Sequence, residues 1–272
     1  MSVDWLVNFD CRPKRDLSPL GIYRRQQVLE RFETVSAMTR RACPPGGITA
    51  IELDFFEITP QGQPLIRTIS ASDVSDLSGT LEQYGKECAS CPANVRSAAF
   101  GCFGSVRFPV TGNADHWLIS NLPEHMTSPA GSMLVNVMTR LGCDGSELRW
   151  MRSSGGRYFE LGESPRRSWR LPRGSFSLDA DALYEAMFLT SGTVGIAPYH
   201  GLLLCYLVGA LDEVSLPRFV STQGELIPTG FRFEPGIERE PSIRDLKMFL
   251  LALFRAGRMG MTLSIRMPRR PA

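Results

Sequence analysis

Lysine and histidine are almost missing from this chain. Of its 30 basic residues only Lys14, Lys86 and Lys247 are lysine, and histidine occurs three times, at 116, 125 and 200. The arginines are scattered rather than striped, and the net charge is only +2, so no basic face points to nucleic acid. Several chemical signatures are absent as well. There is no G-x-x-x-x-G-K-[ST] phosphate loop, no G-x-G-x-x-G between strand and helix, no G-x-S-x-G elbow and no H-E-x-x-H helix. Their absence counts against the common nucleotide-binding, hydrolase and metalloprotease classes. No catalytic constellation takes their place, so no catalytic residue is assigned.

Long apolar runs are also lacking. The longest, Gly201 to Leu211, is too short to span a bilayer, which takes about 20 residues. The opening Met-Ser-Val-Asp-Trp-Leu has no basic segment followed by an apolar one, so it does not read as a secretory signal. Seven cysteines, an odd number, argue against a disulfide framework. The expectation is a cytoplasmic protein with reduced thiols and no membrane association.

What the chain does have is a cysteine cluster. Cys88 and Cys91 are spaced C-x2-C, and Cys102 follows in Phe-Gly-Cys-Phe-Gly. A C-x2-C turn aims two thiolates at one ion, and a third cysteine nearby adds a ligand. Cys43, His116, Cys143 and His125 are the candidates for a fourth. Zinc is the first expectation. An iron–sulfur cluster on the same three cysteines is the alternative, since their neighbours are small or apolar. A dithiol redox pair and three inert buried thiols are the remaining readings. Cys11 and Cys205 read as inert.

Other residues carry weaker signals. Asp115 next to His116 suggests a tuned histidine. Glu52 and Asp54 share one face of a strand and read as a solvated face more readily than as an acid–base pair. His200 reads as a hydrogen-bonded residue near the core. The run from Arg166 to Arg173 interleaves arginine with Trp169, which suits a nucleic-acid backbone, an acidic protein surface or a solvated linker.

The pattern of elements predicts an α+β fold, with a mixed sheet-and-helix N-terminal part and a more helical C-terminal part packed against it. Residues 1–16 read as loosely held. Residues 17–161 form the mixed region that carries the cysteines. Within it, Ser18-Pro19 opens a helix through Arg41, and strands are expected at 48–58 and 65–69. Asp73 opens a helix through Tyr84, a strand covers 106–110 and a helix covers 113–122. Ser128-Pro129 starts a helix that ends at Gly142, and 148–161 reads as a hairpin. Residues 162–176 form a Pro/Arg/Gly-rich connector. In 177–272, Ser177 or Asp179 caps a helix, 198–211 is an apolar helix, 242–255 is an amphipathic helix and 261–267 is a last strand. The function expected from all this is a metal-binding protein with a structural zinc site, acting with a protein partner in interaction or assembly. The alternatives are an iron–sulfur redox carrier or enzyme, and a metal-free interaction module.

Overall fold

The computed structural model describes residues 2–42, 52–58, 64–96, 100–171, 174–191 and 239–266. Helices and antiparallel strands in small sheets give the α+β class expected from the sequence. The chain forms two compact units: residues 1–9 with 101–272, and residues 10–100.

The larger unit is built on a three-stranded antiparallel sheet. Its centre is β1 (Ser2–Val7), flanked by β4 (Phe103–Arg107) and by β7 (Leu263–Arg266). The N-terminal residues expected to be loosely held thus supply the middle strand. Val3, Trp5 and Val7 alternate along β1 and are buried, as a half-buried strand requires.

A helix, α9 (Pro241–Arg258), covers the sheet. Ile243, Leu246, Phe249, Leu250, Leu253 and Phe254 are all buried, which bears out the amphipathic pattern read from the sequence. Each contributes about 2 kcal/mol of gross hydrophobic stabilisation before the entropy of ordering is counted. Arg107 on β4 grips Asp245 on α9 with Nε at 2.7 Å and Nη2 at 3.1 Å. That two-pronged contact fixes the helix along the strand.

Three helices and a hairpin complete the unit around α8 (Ala180–Ser191). These are α5 (Gly112–Ser120), α6 (Pro129–Leu141), α7 (Ser146–Arg152) and the hairpin of β5 (Arg166–Leu171) with β6 (Gly174–Asp179). The start and stop of α6 are those expected: the Ser128 side chain accepts from the Gly131 N–H, Pro129 opens the helix, and Gly142 ends it with φ 67°. Two expectations fail here. The segment 148–161 is not a hairpin, because α7 occupies its first part and only a parallel bridge between Val110 and Phe159 remains. Alternation over a few residues did not distinguish a short buried helix from a strand. The stretch 162–176, read as a connector, holds β5 and the first half of β6.

The smaller unit contains α1 (Arg12–Leu17), α2 (Pro19–Ala42), β2 (Glu52–Ile58), β3 (Pro64–Ser70), α3 (Ala71–Glu82) and α4 (Gly85–Ala89). The strands pair as a hairpin, with Leu53 opposite Ile69. Val28 and Ile69 are buried together, with Val74 and Leu77 against them. Ser70, not Asp73, is the N-cap of α3. Asp73 sits three residues on and its carboxylate accepts from the Ser70 N–H at 2.8 Å, a capping box. The apolar helix expected at 198–211, and with it His200 and Cys205, lies outside the described residues.

Gly104 pairs with Trp5 across β1 and β4, and the indole ring lies on it so closely that a Cβ there would fall within the ring. Gly104→Ala is therefore expected to displace Trp5 and to destabilise the protein by about 1–3 kcal/mol. Urea denaturation followed by tryptophan fluorescence measures the shift.

Candidate functional site

Among the described residues no group of three His, Cys, Asp or Glu side chains is placed to hold a metal ion. The reading of the chain as a structural zinc protein is thereby corrected. Cys88 and Cys91 lie in the smaller unit, whereas Cys102 lies in the larger one.

The local geometry of the C-x2-C turn explains how the spacing arises without an ion. Cys88 ends α4, and its carbonyl accepts from the Cys91 N–H at 3.2 Å and from Asn94 Nδ2 at 2.7 Å. The buried Asn94 thus closes the turn. Burial pushes the Cys88 thiol up, and the neighbouring Cys11 and Cys91 add to this, which disfavours the thiolate a metal needs. Cys11 is therefore a neighbour of Cys88.

The proposed fourth ligands are dispersed. His116 is exposed on α5 and His125 is exposed in the loop before α6. Cys143 follows α6, and burial, with help from Glu185 and Asp144, pushes its thiol up to about 11. Cys43 lies outside the described residues. The Glu52–Asp54 pair is exposed, with Asp54 accepting from the Thr68 hydroxyl at 2.7 Å, as the solvated-face reading expected.

Charged chemistry is concentrated instead in the larger unit, first as a buried network. Arg152 at the end of α7 is only 9% exposed, between Asp115 of α5 at 2% and Asp181 of α8 at 0%. Arg152 Nη1 donates to Asp115 Oδ2 at 2.9 Å, and Nη2 donates to Asp181 Oδ1 at 2.7 Å. The Tyr184 hydroxyl donates to Asp115 Oδ1 at 3.0 Å. The guanidinium also lies 4.4 Å over the Phe159 ring.

Burial works against the Arg152 charge, but its bonds to Asp181 and Asp115 outweigh this and its pKa is raised. Burial likewise raises Asp115, with Arg152 opposing, and raises Tyr184 well above its ordinary range, so the phenol stays a donor. Asp115 thus faces inward while His116 faces solvent, and the expected pairing of the two does not exist. Sequence reasoning missed this network because its bonded partners are 29 to 69 residues apart and share no motif.

A cleft of about 380 Å³ lies on the outer side of the same elements. Its walls come from the C-terminal end of α6, the α6–α7 loop, Arg149 of α7, Arg166 of β5, β6 and Ala182 of α8. Asp179 organises it. As the N-cap of α8, its Oδ1 accepts from the Ala182 N–H at 2.9 Å, which decides between the two caps expected. Its Oδ2 accepts from Arg149 Nη1 at 2.9 Å and from Arg166 Nη2 at 3.4 Å.

Gly145 makes this geometry possible. Its φ is +80°, and a Cβ there would sit 2.7 Å from the Ala182 nitrogen. Its own N–H donates to Glu185 Oε2 at 2.6 Å. Both glycine properties, the left-handed backbone and the missing side chain, are used at one position.

The arginine run of β5 is also resolved into roles. Trp169 is buried and its Nε1 donates to the Pro123 carbonyl at 3.0 Å, so it offers no stacking face to a base. Arg167 stacks over that ring and donates to the Leu122 carbonyl at 2.8 Å. Arg166 and Arg170 remain exposed.

No family model, curated protein or solved structure matches this chain. No described helix is long and apolar enough to cross a membrane.

Replacing Arg152 by methionine leaves two buried carboxylates without their counter-charge. Arg152→Met is expected to cost about 3–5 kcal/mol of stability, measured by denaturant titration. The raised Asp115 pKa adds a pH dependence. The protonated acid is favoured by folding, so its contribution is complete below the ordinary value of 3.8 and is lost as pH rises through the raised folded value. Asp115→Asn is expected to flatten that part of the stability–pH curve, followed by melts from acid to neutral pH.

Proposed function

We propose that the chain is a binding protein, and that the cleft between α6, α7 and β6 is where its ligand sits. The observation that carries this is the state of Arg166. Its side chain is 63% exposed, it lines the cleft, and among the described residues only its Nη2 is engaged, at 3.4 Å from Asp179. Nε and Nη1 are left to bind something else. A guanidinium with an uncommitted edge recognises a carboxylate or a phosphate in a two-pronged way.

The cleft's own carboxylates do not compete for that edge. Asp179 is 7% exposed and already accepts from both arginines and from the Ala182 N–H. Asp144 is turned onto the Ser146 N–H at 2.9 Å, and its pKa is lowered by its hydrogen bonds with Ser146. Burial pushes the Cys143 thiol at the cleft wall up to about 11, which keeps it protonated near neutral pH. These side chains support a recognition role. A cytoplasmic setting with reduced thiols belongs to the same proposal.

Titration of isotope-labelled protein with N-acetylglutamate tests the reading through the side-chain Nε–H resonances of Arg149 and Arg166. The expected result is a saturating shift at Arg166, abolished in Arg166→Met, which leaves the fold intact. An Arg166 resonance that never moves would refute the proposed site.

A further inference from the structure

The cleft is bounded by an unused strand edge. Phe176, Ser177, Leu178 and Asp179 line it consecutively. Side chains alternate between the two faces of a strand, so four neighbours line one cleft only if it runs along the strand's edge. Among the described residues, β6 pairs with β5 alone.

The register decides which backbone groups face outward. Arg166 stands opposite Asp179 and Ser168 opposite Ser177. The Ala180 N–H donates to the Pro165 carbonyl at 3.1 Å, just beyond the Arg166–Asp179 pair. Pairs 167/178, 169/176 and 171/174 are therefore the ones that exchange backbone hydrogen bonds, in step with the single bond that Pro165 accepts. The N–H and C=O groups of Ser175 and Ser177 point away from β5. Neither residue makes a backbone hydrogen bond on that side with any described residue.

Charge decides what fits there. Arg166, Ser168 and Arg170 share one face of the hairpin with Ser175, Ser177 and Asp179. Arg170 is exposed, stands opposite the small Ser175, and makes no ion pair with the described residues. On the other face lie Phe176 and Leu178. A strand laid along β6 would have Ser175, Ser177 and Asp179 beside its alternate side chains, and apolar surface on the other face. Asp179 is already held by Arg166 from β5, and the small serines leave the β5 arginines within reach of longer acidic side chains.

Resting on the cleft reading above, we infer that β6 is a docking edge that takes an extended acidic peptide as an added strand. Its backbone bonds to Ser175 and Ser177, and its alternate carboxylates meet Arg166 and Arg170. Main-chain hydrogen bonds supply the affinity and the alternating side chains supply the selectivity.

The test uses the full chain and the peptide acetyl-Glu-Val-Glu-Val-Glu-amide, with the Lys-for-Glu peptide as control. Ser177→Pro removes the outward N–H while leaving the backbone bonds of the hairpin in place, and Ser177→Ala keeps that N–H while losing the same side-chain bonds to Ser168 and Arg167. The expected result is binding of the acidic peptide only, slowed amide exchange at Ser175 and Ser177, at least tenfold weaker binding for Ser177→Pro, and none lost for Ser177→Ala. Circular dichroism melts confirm that both variants are folded. Three results would overturn the inference. One is binding unaffected by Ser177→Pro. Another is edge amides already protected without peptide, which would mean that the chain covers its own edge. The third is a dimer by ultracentrifugation that Ser177→Pro dissociates, which would make a second copy the occupant. If N-acetylglutamate still shifts Arg166 while the peptide does not bind, the cleft reading stands and strand addition alone fails.

Discussion

Arg152 is the residue on which the larger unit closes. Its guanidinium is buried between two carboxylates, each within 3 Å. Taking three charges out of water costs several kcal/mol per ion, and only good geometry repays it. Here the geometry is good: Arg152 reaches Asp181 through Nε and Nη2 and Asp115 through Nη1, and Tyr184 satisfies the remaining Asp115 oxygen. With both acids ionised the network would carry one excess negative charge; burial shifts Asp115 upward, and the Asp181 carboxylate adds a smaller push in the same direction. The bonds tie α5, α7 and α8 together from inside, where apolar packing alone would leave α7 short and weakly held.

The cleft is the outer consequence of that closure. Arg149 lies one helical turn before Arg152, so fixing Arg152 also fixes the position from which Arg149 reaches Asp179. Asp179 and Asp181 flank the start of α8, one turned to the cleft and one to the core. Both benefit from the positive end of the helix dipole. The same few residues thus connect a buried electrostatic lock to an exposed recognition surface, and the left-handed Gly145 lets the chain pass between them.

Elements with strong local signals were legible in the sequence. The proline-capped α6 with its terminal glycine, and the apolar face of α9, follow from periodicity and capping chemistry alone. Elements defined by distant partners were not. The strand β1 is a strand because β4 and β7 pair with it, and nothing in Ser2–Val7 announces partners a hundred and more residues away. Asp115 attracted notice only as the neighbour of His116, and Arg152 not at all, because a salt-bridge network has no spacing rule. The cysteines misled for the converse reason. C-x2-C is a compact turn that a metal can exploit, but an asparagine at the right offset stabilises the same turn, as Asn94 does. The arginine run was read with three outcomes open. The structure separates its members into a stacked residue, Arg167, and two exposed ones, Arg166 and Arg170.

Native-state hydrogen exchange under mild denaturant tests most directly whether the Arg152 network locks the unit. Amides of α7, α5 and the first turn of α8 should open with one common free energy, as parts of a single cooperative element. Exchange of the Ser153 and Ala182 amides through a separate low-energy opening, with α5 still protected, would contradict the account.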